Sequence, residues 1–160
     1  MISIEIDGVE VEIAIWDTYG QEDFDRLRPL SYPESALIVI CFAINYKSSF
    51  HSIGERWIPE ILFFCSKPKV PLLLVGCKSD LRKGKESGDR KGNVEEDVEE
   101  VTAEEGCRLA EDIEAVGYME CSSRTREGIQ DVLEKVARVV ISWNPQRPRP
   151  RSQNYGCIVL

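Results

Sequence analysis

Residues 2 to 16 constrain the fold most. Ile2, Ile4 and Ile6, then Val9, Val11, Ile13 and Ile15, alternate with polar or small residues on either side of Asp7-Gly8. That dipeptide suits the two-residue type I′ turn, whose central residues both need positive φ. A two-residue loop sets Ile6 opposite Val9, Ile4 opposite Val11 and Ile2 opposite Ile13. Every apolar residue then falls on one face, and Ser3, Glu5, Glu10 and Glu12 fall on the other. The pattern predicts a half-buried antiparallel hairpin.

Two later runs, residues 36–44 and 71–76, are apolar without alternation, which suits strands covered on both faces of a parallel sheet. Residues 118–121 read as a third short strand. Phe50, Ile53, Trp57, Ile61, Leu62 and Cys65 recur at helical spacing, with Pro59 predicted to kink that helix. Leu109, Ala110, Ile113 and Val116 mark a second helix, opened by a capping box of Thr102 and Glu105. Ile129, Val132, Leu133, Val136, Val140 and Trp143 form the stripe of a last helix, and Pro145 marks its end. Strands alternating with helices after a hairpin predict an α/β fold with a doubly wound, mostly parallel sheet.

The length of 160 residues suits one domain. We expect it over residues 1–143, with an exposed, charged insertion at about 82–100 and a flexible, extended tail over 144–160. The formal charge is −8, and it becomes −11 without Arg147, Arg149 and Arg151 of the tail, which disfavours nucleic acid as a partner. The N-terminus carries neither the basic region of a signal peptide nor a long apolar run, so the chain reads as intracellular. Six cysteines without a C-x-x-C pair read as structural thiols rather than as disulfides or a metal site. His51, the only histidine, lacks a triad-like context and reads as a surface or cap-proximal residue.

The string W-D-T-Y-G-Q, residues 16–21, stands where the second hairpin strand ends. A carboxylate there can hold magnesium through water, and a glycine three residues on lets its amide approach a terminal phosphate. With the following E-D-F-D-R-L-R-P-L-S-Y-P, the segment resembles switch II of the Rho family of small GTPases. The resemblance runs over essentially the whole chain. It implies the P-loop NTPase type of fold, a GTP- and GDP-binding, GTP-hydrolysing signalling switch, and magnesium as the metal. In the family, residues matching Asp17, Gly20 and Gln21 hold magnesium, sense the terminal phosphate and orient the attacking water; Thr18 lies within the same nucleotide-binding motif. Tyr19 replaces the family's alanine, and its ring either slows hydrolysis or restricts switch movement, or points to solvent.

G-C-K-S-D, residues 76–80, resembles the family's guanine-reading N-K-x-D motif. Asp80 would accept two hydrogen bonds from guanine while the Lys78 stem packs on the ring, and adenine would leave the carboxylate unpaired. Cys77 stands where asparagine is usual, which removes an amide that ties neighbouring loops. E-C-S-S-R-T, residues 120–125, resembles the loop that offers a backbone amide to guanine, through Ser123 and Arg124. The chain ends in C-I-V-L, a prenylation box whose final leucine favours geranylgeranyl on Cys157. One lipid with three tail arginines suits reversible membrane attachment. Expected localisation is the cytoplasmic face of membranes, chiefly the plasma membrane, with a cytosolic pool. The resemblance further implies exchange factors, activating proteins, dissociation inhibitors and effectors as partners.

No G-x-x-x-x-G-K-[ST] string occurs in these residues, and the sequence opens where the family's second strand would stand. The expected fold therefore lacks the first strand, phosphate loop and first helix. Losing five or more bonds to phosphate removes over ~7 kcal/mol, on the order of 10⁵-fold in affinity. Guanine nucleotide binding by this chain is expected to be weak or absent. A second reading is a non-enzymatic module that engages GTPase partners without nucleotide. In the family the first strand sits between those matching residues 9–16 and 36–42. Its absence predicts two strands facing an open slot, and a chain that is marginally stable or rescued by a partner strand.

Overall fold

The computed structural model describes residues 1–32, 35–65, 70–82, 100–143 and 154–159, the last six by their backbone. Most of the charged insertion, the proline- and arginine-rich linker and Leu160 lie outside the described residues.

Strands β1 (Ile2–Ile6) and β2 (Val9–Asp17) form the hairpin. Asp7 and Gly8 take φ of 52° and 78°, as the primed turn requires. The register is the expected one, with Ile2 opposite Ile13, Ile4 opposite Val11 and Ile6 opposite Val9. Its apolar face is unevenly buried: Ile6, Val11 and Ile13 are buried, whereas Ile2, Val9 and Ile15 are exposed.

The other predicted strands follow as β3 (Leu37–Ala43), β4 (Leu72–Cys77) and β5 (Tyr118–Cys121). Helix α1 (Lys47–Ser52) runs through a wide turn of π-type hydrogen bonding at Ile53–Trp57 into α2 (Ile58–Phe64). The irregularity falls one turn before Pro59, whose missing amide cannot donate back into a regular ladder. Helix α3 (Ala103–Asp112) starts with the expected capping box: Thr102 Oγ1 accepts from the Glu105 amide at 3.1 Å, and the Glu105 carboxylate accepts from the Thr102 amide at 2.8 Å. Helix α4 (Ile129–Trp143) is the last among the described residues.

Helices cover both faces of the sheet. On one face Val136, Ala137 and Val140 of α4 pack with Val11, Ile13, Leu37 and Val39. On the other, Ile53, Ile61 and Ala110 pack with Ile38, Ile40 and Phe42. The non-alternating run of β3 is thereby explained, since successive residues enter opposite cores.

The tail departs from expectation. Asn154–Val159 form a sixth strand, β6, and the sheet order is β1-β2-β6-β3-β4-β5. Strand β6 runs parallel to both neighbours, from Glu12↔Asn154 to Asp17↔Val159 on one side and from Leu37↔Cys157 to Val39↔Val159 on the other. This is the place the resemblance gives to the family's first strand. The open slot of the sequence analysis is corrected here, and so is the flexible tail at residues 154–159, while the extended linker expected over 144–153 lies outside the described residues. Two strands of one sheet with unpaired amides and carbonyls facing a gap demand a partner, and residues 154–159 of the same chain supply one.

Candidate functional site

Strands β2, β6, β3, β4 and β5 are parallel, so their C-terminal ends share one edge of the sheet, where open α/β sheets place ligands. Every site residue expected within the domain lies along this edge. Asp17, Thr18, Gly20 and Gln21 follow β2; Lys78 and Asp80 follow β4; Ser123 and Arg124 follow β5. The groups after β2 and β4 are three strand spacings apart, roughly 14 Å, so the structure gathers two clusters and not one.

The β4–β5 cluster is tightly organised. Lys78 has φ of 63°, and this left-handed residue turns the chain into a short 3-10 turn at Ser79–Leu81. Asp80 is thereby aimed at the β5 loop, where Ser122 Oγ donates to its Oδ1 at 2.6 Å. The same hydroxyl accepts from the Thr125 amide at 3.1 Å, and the Ser122 amide donates to the Glu127 carbonyl at 2.9 Å. Ser122 is fully buried, whereas Lys78, Ser123 and Arg124 are exposed. Gly128, at φ +73°, closes the loop so tightly that a Cβ would lie 2.2 Å from the Glu120 carbonyl oxygen.

The sequence passed over Ser122 in favour of its neighbours. Its position directly after a buried strand residue was the available signal, but its partner Asp80 lies 42 residues away. Ser122 also supplies the tie between loops that the cysteine at position 77 cannot. Cys77 instead pairs with Cys121 across β4 and β5. The hydrogen bond with Cys121 pulls its thiol down, but the bond with Cys41 and burial push it up to about 12. Below it, Arg82 donates to the Val101 carbonyl at 2.9 Å and pairs with Glu120, which also accepts from Tyr118 Oη at 2.7 Å. These bonds clasp both ends of the insertion to β5.

The segment after β2 is held by a buried arginine that sequence reasoning also missed. Arg28 donates to both Glu60 oxygens, at 2.9 and 2.8 Å, to Asp25 at 2.5 Å and to the Tyr19 carbonyl at 2.7 Å. Its guanidinium lies 4.6 Å from the centre of the Trp57 ring, and Tyr32 Oη donates to Glu60. The hydrogen bonds with Glu60 outweigh burial and raise the Arg28 pKa. Burial alone would raise Glu60, but the bonds from Arg28 and Tyr32 hold it below its ordinary value. The Tyr19 ring stacks on Phe24 at 4.8 Å between centroids and is still mostly exposed, so it shields part of its own turn and also faces solvent. Gln21 is exposed and starts the 3-10 turn Glu22–Phe24. A Cβ at Gly20 would meet Trp57 at 3.6 Å, an ordinary contact, so packing does not require glycine there.

The two clusters differ in what they can hold. A carboxylate fixed by a buried hydroxyl, beside an exposed lysine and a loop of backbone amides, fits the edge of a guanine base. The phosphate end does not fit its ligand equally well. Among the described residues no glycine-rich turn stands at this end of the sheet beside β2, and no group of three potential metal ligands occurs. Asp17 stands beside Val159 at the end of β2.

A family model described as Ras family matches residues 1–142, which covers the hairpin, the switch-like segment, the loops after β4 and β5 and all four described helices but the last residue of α4. Small GTPases of this kind bind GTP and GDP with magnesium and answer to regulators and effectors. On the fold and this match together, the chain belongs to the Ras family of small GTPases.

Proposed function

We propose that this is a Rho-type small GTPase chain, in the lineage of membrane-tethered signalling switches, whose base-reading end works and whose phosphate end is impaired. The bond from Ser122 to Asp80 carries the reading, because it preorganises the carboxylate that discriminates guanine. Lys78, Asp80, Ser123 and Arg124 would hold the base. Asp17, Thr18, Gly20 and Gln21 stand where the family places magnesium, terminal phosphate and attacking water. Bound magnesium would neutralise phosphate charge, but without a phosphate loop these residues alone do not assemble a hydrolytic site. GTP binding and hydrolysis by these 160 residues are accordingly weak or absent. Residues 1–143 form the GTPase domain, and geranylgeranyl on Cys157 would place it at the cytoplasmic face of membranes, chiefly the plasma membrane, in exchange with cytosol. Rho exchange factors, activating proteins, dissociation inhibitors and effectors are the corresponding partners.

Guanosine and adenosine at millimolar concentration, followed by amide chemical shifts, test the base site. Guanosine is expected to move residues 77–80 and 121–124, adenosine to leave them unmoved, and Asp80→Ala to abolish the response. Equal responses to both nucleosides would overturn the assignment. A second reading, a module engaging GTPase partners without nucleotide, is favoured by β6 in the central slot. Rho-regulator binding that survives Asp80→Ala would support it.

A further inference from the structure

The C-terminal strand does two incompatible things. Of its six residues, Cys157, Ile158 and Val159 are the ones that pair on both sides, with Ile15, Trp16 and Asp17 of β2 and with Leu37, Ile38 and Val39 of β3. Asn154, Tyr155 and Gly156 pair with β2 alone. The doubly paired residues are therefore three of the four that a lipid-transferring enzyme has to read. Such an enzyme binds the terminal tetrapeptide in its own cleft and brings a prenyl diphosphate to the thiol. It cannot do so while the same backbone is hydrogen-bonded between two strands of a sheet.

We propose that insertion of residues 154–159 into the sheet withholds Cys157 from prenylation, so that lipid attachment is governed by extraction of this strand. The inference rests on the lipidation reading above. In the extracted state the Cys157 sulfur attacks the carbon bearing the diphosphate. The C–S bond forms, the C–O bond breaks, diphosphate leaves and the thiol proton passes to solvent. Removal of the last three residues afterwards would delete Ile158 and Val159, two of the doubly paired positions, and prevent reinsertion in the original register. A soluble chain with a closed sheet and a lipidated chain with an open slot are then alternative states of one protein. An apparent rate scales with the population of the competent state, so an insertion worth a few kcal/mol slows modification by about 100-fold.

The test compares transfer from geranylgeranyl diphosphate by a prenyltransferase to the full chain and to a peptide of residues 150–160. The intact chain should be modified about 100-fold more slowly than the peptide. Tyr155→Pro lies outside the terminal four residues and removes a ladder donor from a central strand, so it should bring the chain close to the peptide rate. The peptide with the same substitution controls for enzyme preference. Amide exchange of residues 154–159 in the unsubstituted chain gives a second readout that needs no variant, and these amides should be protected. Equal rates for chain and peptide, or unprotected amides, would overturn the proposal and leave the lipidation reading intact. A peptide that accepts no lipid would bring down both.

Discussion

Strand β3 pairs with β4 from Ile38 to Ala43, but with β6 only from Leu37 to Val39. On the β4 side the sheet continues into loops fixed by buried hydrogen bonds, with Ser122, Asp80 and Gly128 leaving little freedom. On the β6 side a terminal segment fills the gap, more fully paired with the hairpin than with β3. The same requirement, that buried backbone groups be paired, is met by dense local structure in one region and by a borrowed strand in the other. The β6–β3 seam is consequently the weak line of the molecule, and local opening should start there.

The sharpest way to break the tight side is Gly128→Ala. The new Cβ would meet a backbone carbonyl at 2.2 Å in a left-handed conformation, and neither can yield cheaply. A loss of about 4 kcal/mol in chemical denaturation is expected, with the β5 loop losing exchange protection first. The weak side is tested by ending the chain at Gln153. Losing the ladders of β6 should cost about 3 kcal/mol, at the low end of roughly 0.5 kcal/mol per bond, and expose two strand edges that promote aggregation. An unchanged melting temperature and a monomeric state would show that β6 contributes nothing.

Arg28→Ala sharpens the comparison at the segment after β2. It strips Glu60 of its charged partner, but Glu60 keeps some access to water, so about 2 kcal/mol is expected, read by denaturation. The pH dependence follows from the same contacts. Glu60 and Asp25 are held below their ordinary values of 4.5 and 3.8 by Arg28, with Arg56 also acting on Asp25. Their contribution is present above those ordinary values and is lost as pH falls through the lowered ones. The original chain should therefore weaken more steeply than Arg28→Ala below about pH 4.

Local signals made much of this legible in advance. The alternation around Asp7-Gly8 set both the turn and the register, because a two-residue loop leaves one pairing that buries the apolar face. Thr102 and Glu105 announced the start of α3 because a capping box is contained in four consecutive residues. What escaped were ties between distant parts of the chain. Arg28 meets Glu60 across 32 residues, and β6 enters the sheet between β2 and β3, far from it in sequence. The string N-Y-G-C-I-V, residues 154–159, has strand-compatible residues, but its likeness to a lipid-anchor tail drew the reading away from the sheet. Of the proposed site, the motifs were visible as strings. The hydroxyl that fixes Asp80 was not, because a serine in a polar loop carries no mark of its partner.

Affinities for guanosine, GDP and GTP, each with magnesium and measured by calorimetry on the full chain, test the central claim most directly. On the proposed function, with a guanine-holding end and no phosphate-loop string in these 160 residues, added phosphates should change the dissociation constant by no more than about tenfold, or ~1.4 kcal/mol. A submicromolar constant for GTP, tighter than that for guanosine by about 10³ or more, would contradict the account and reveal a phosphate site elsewhere on the chain.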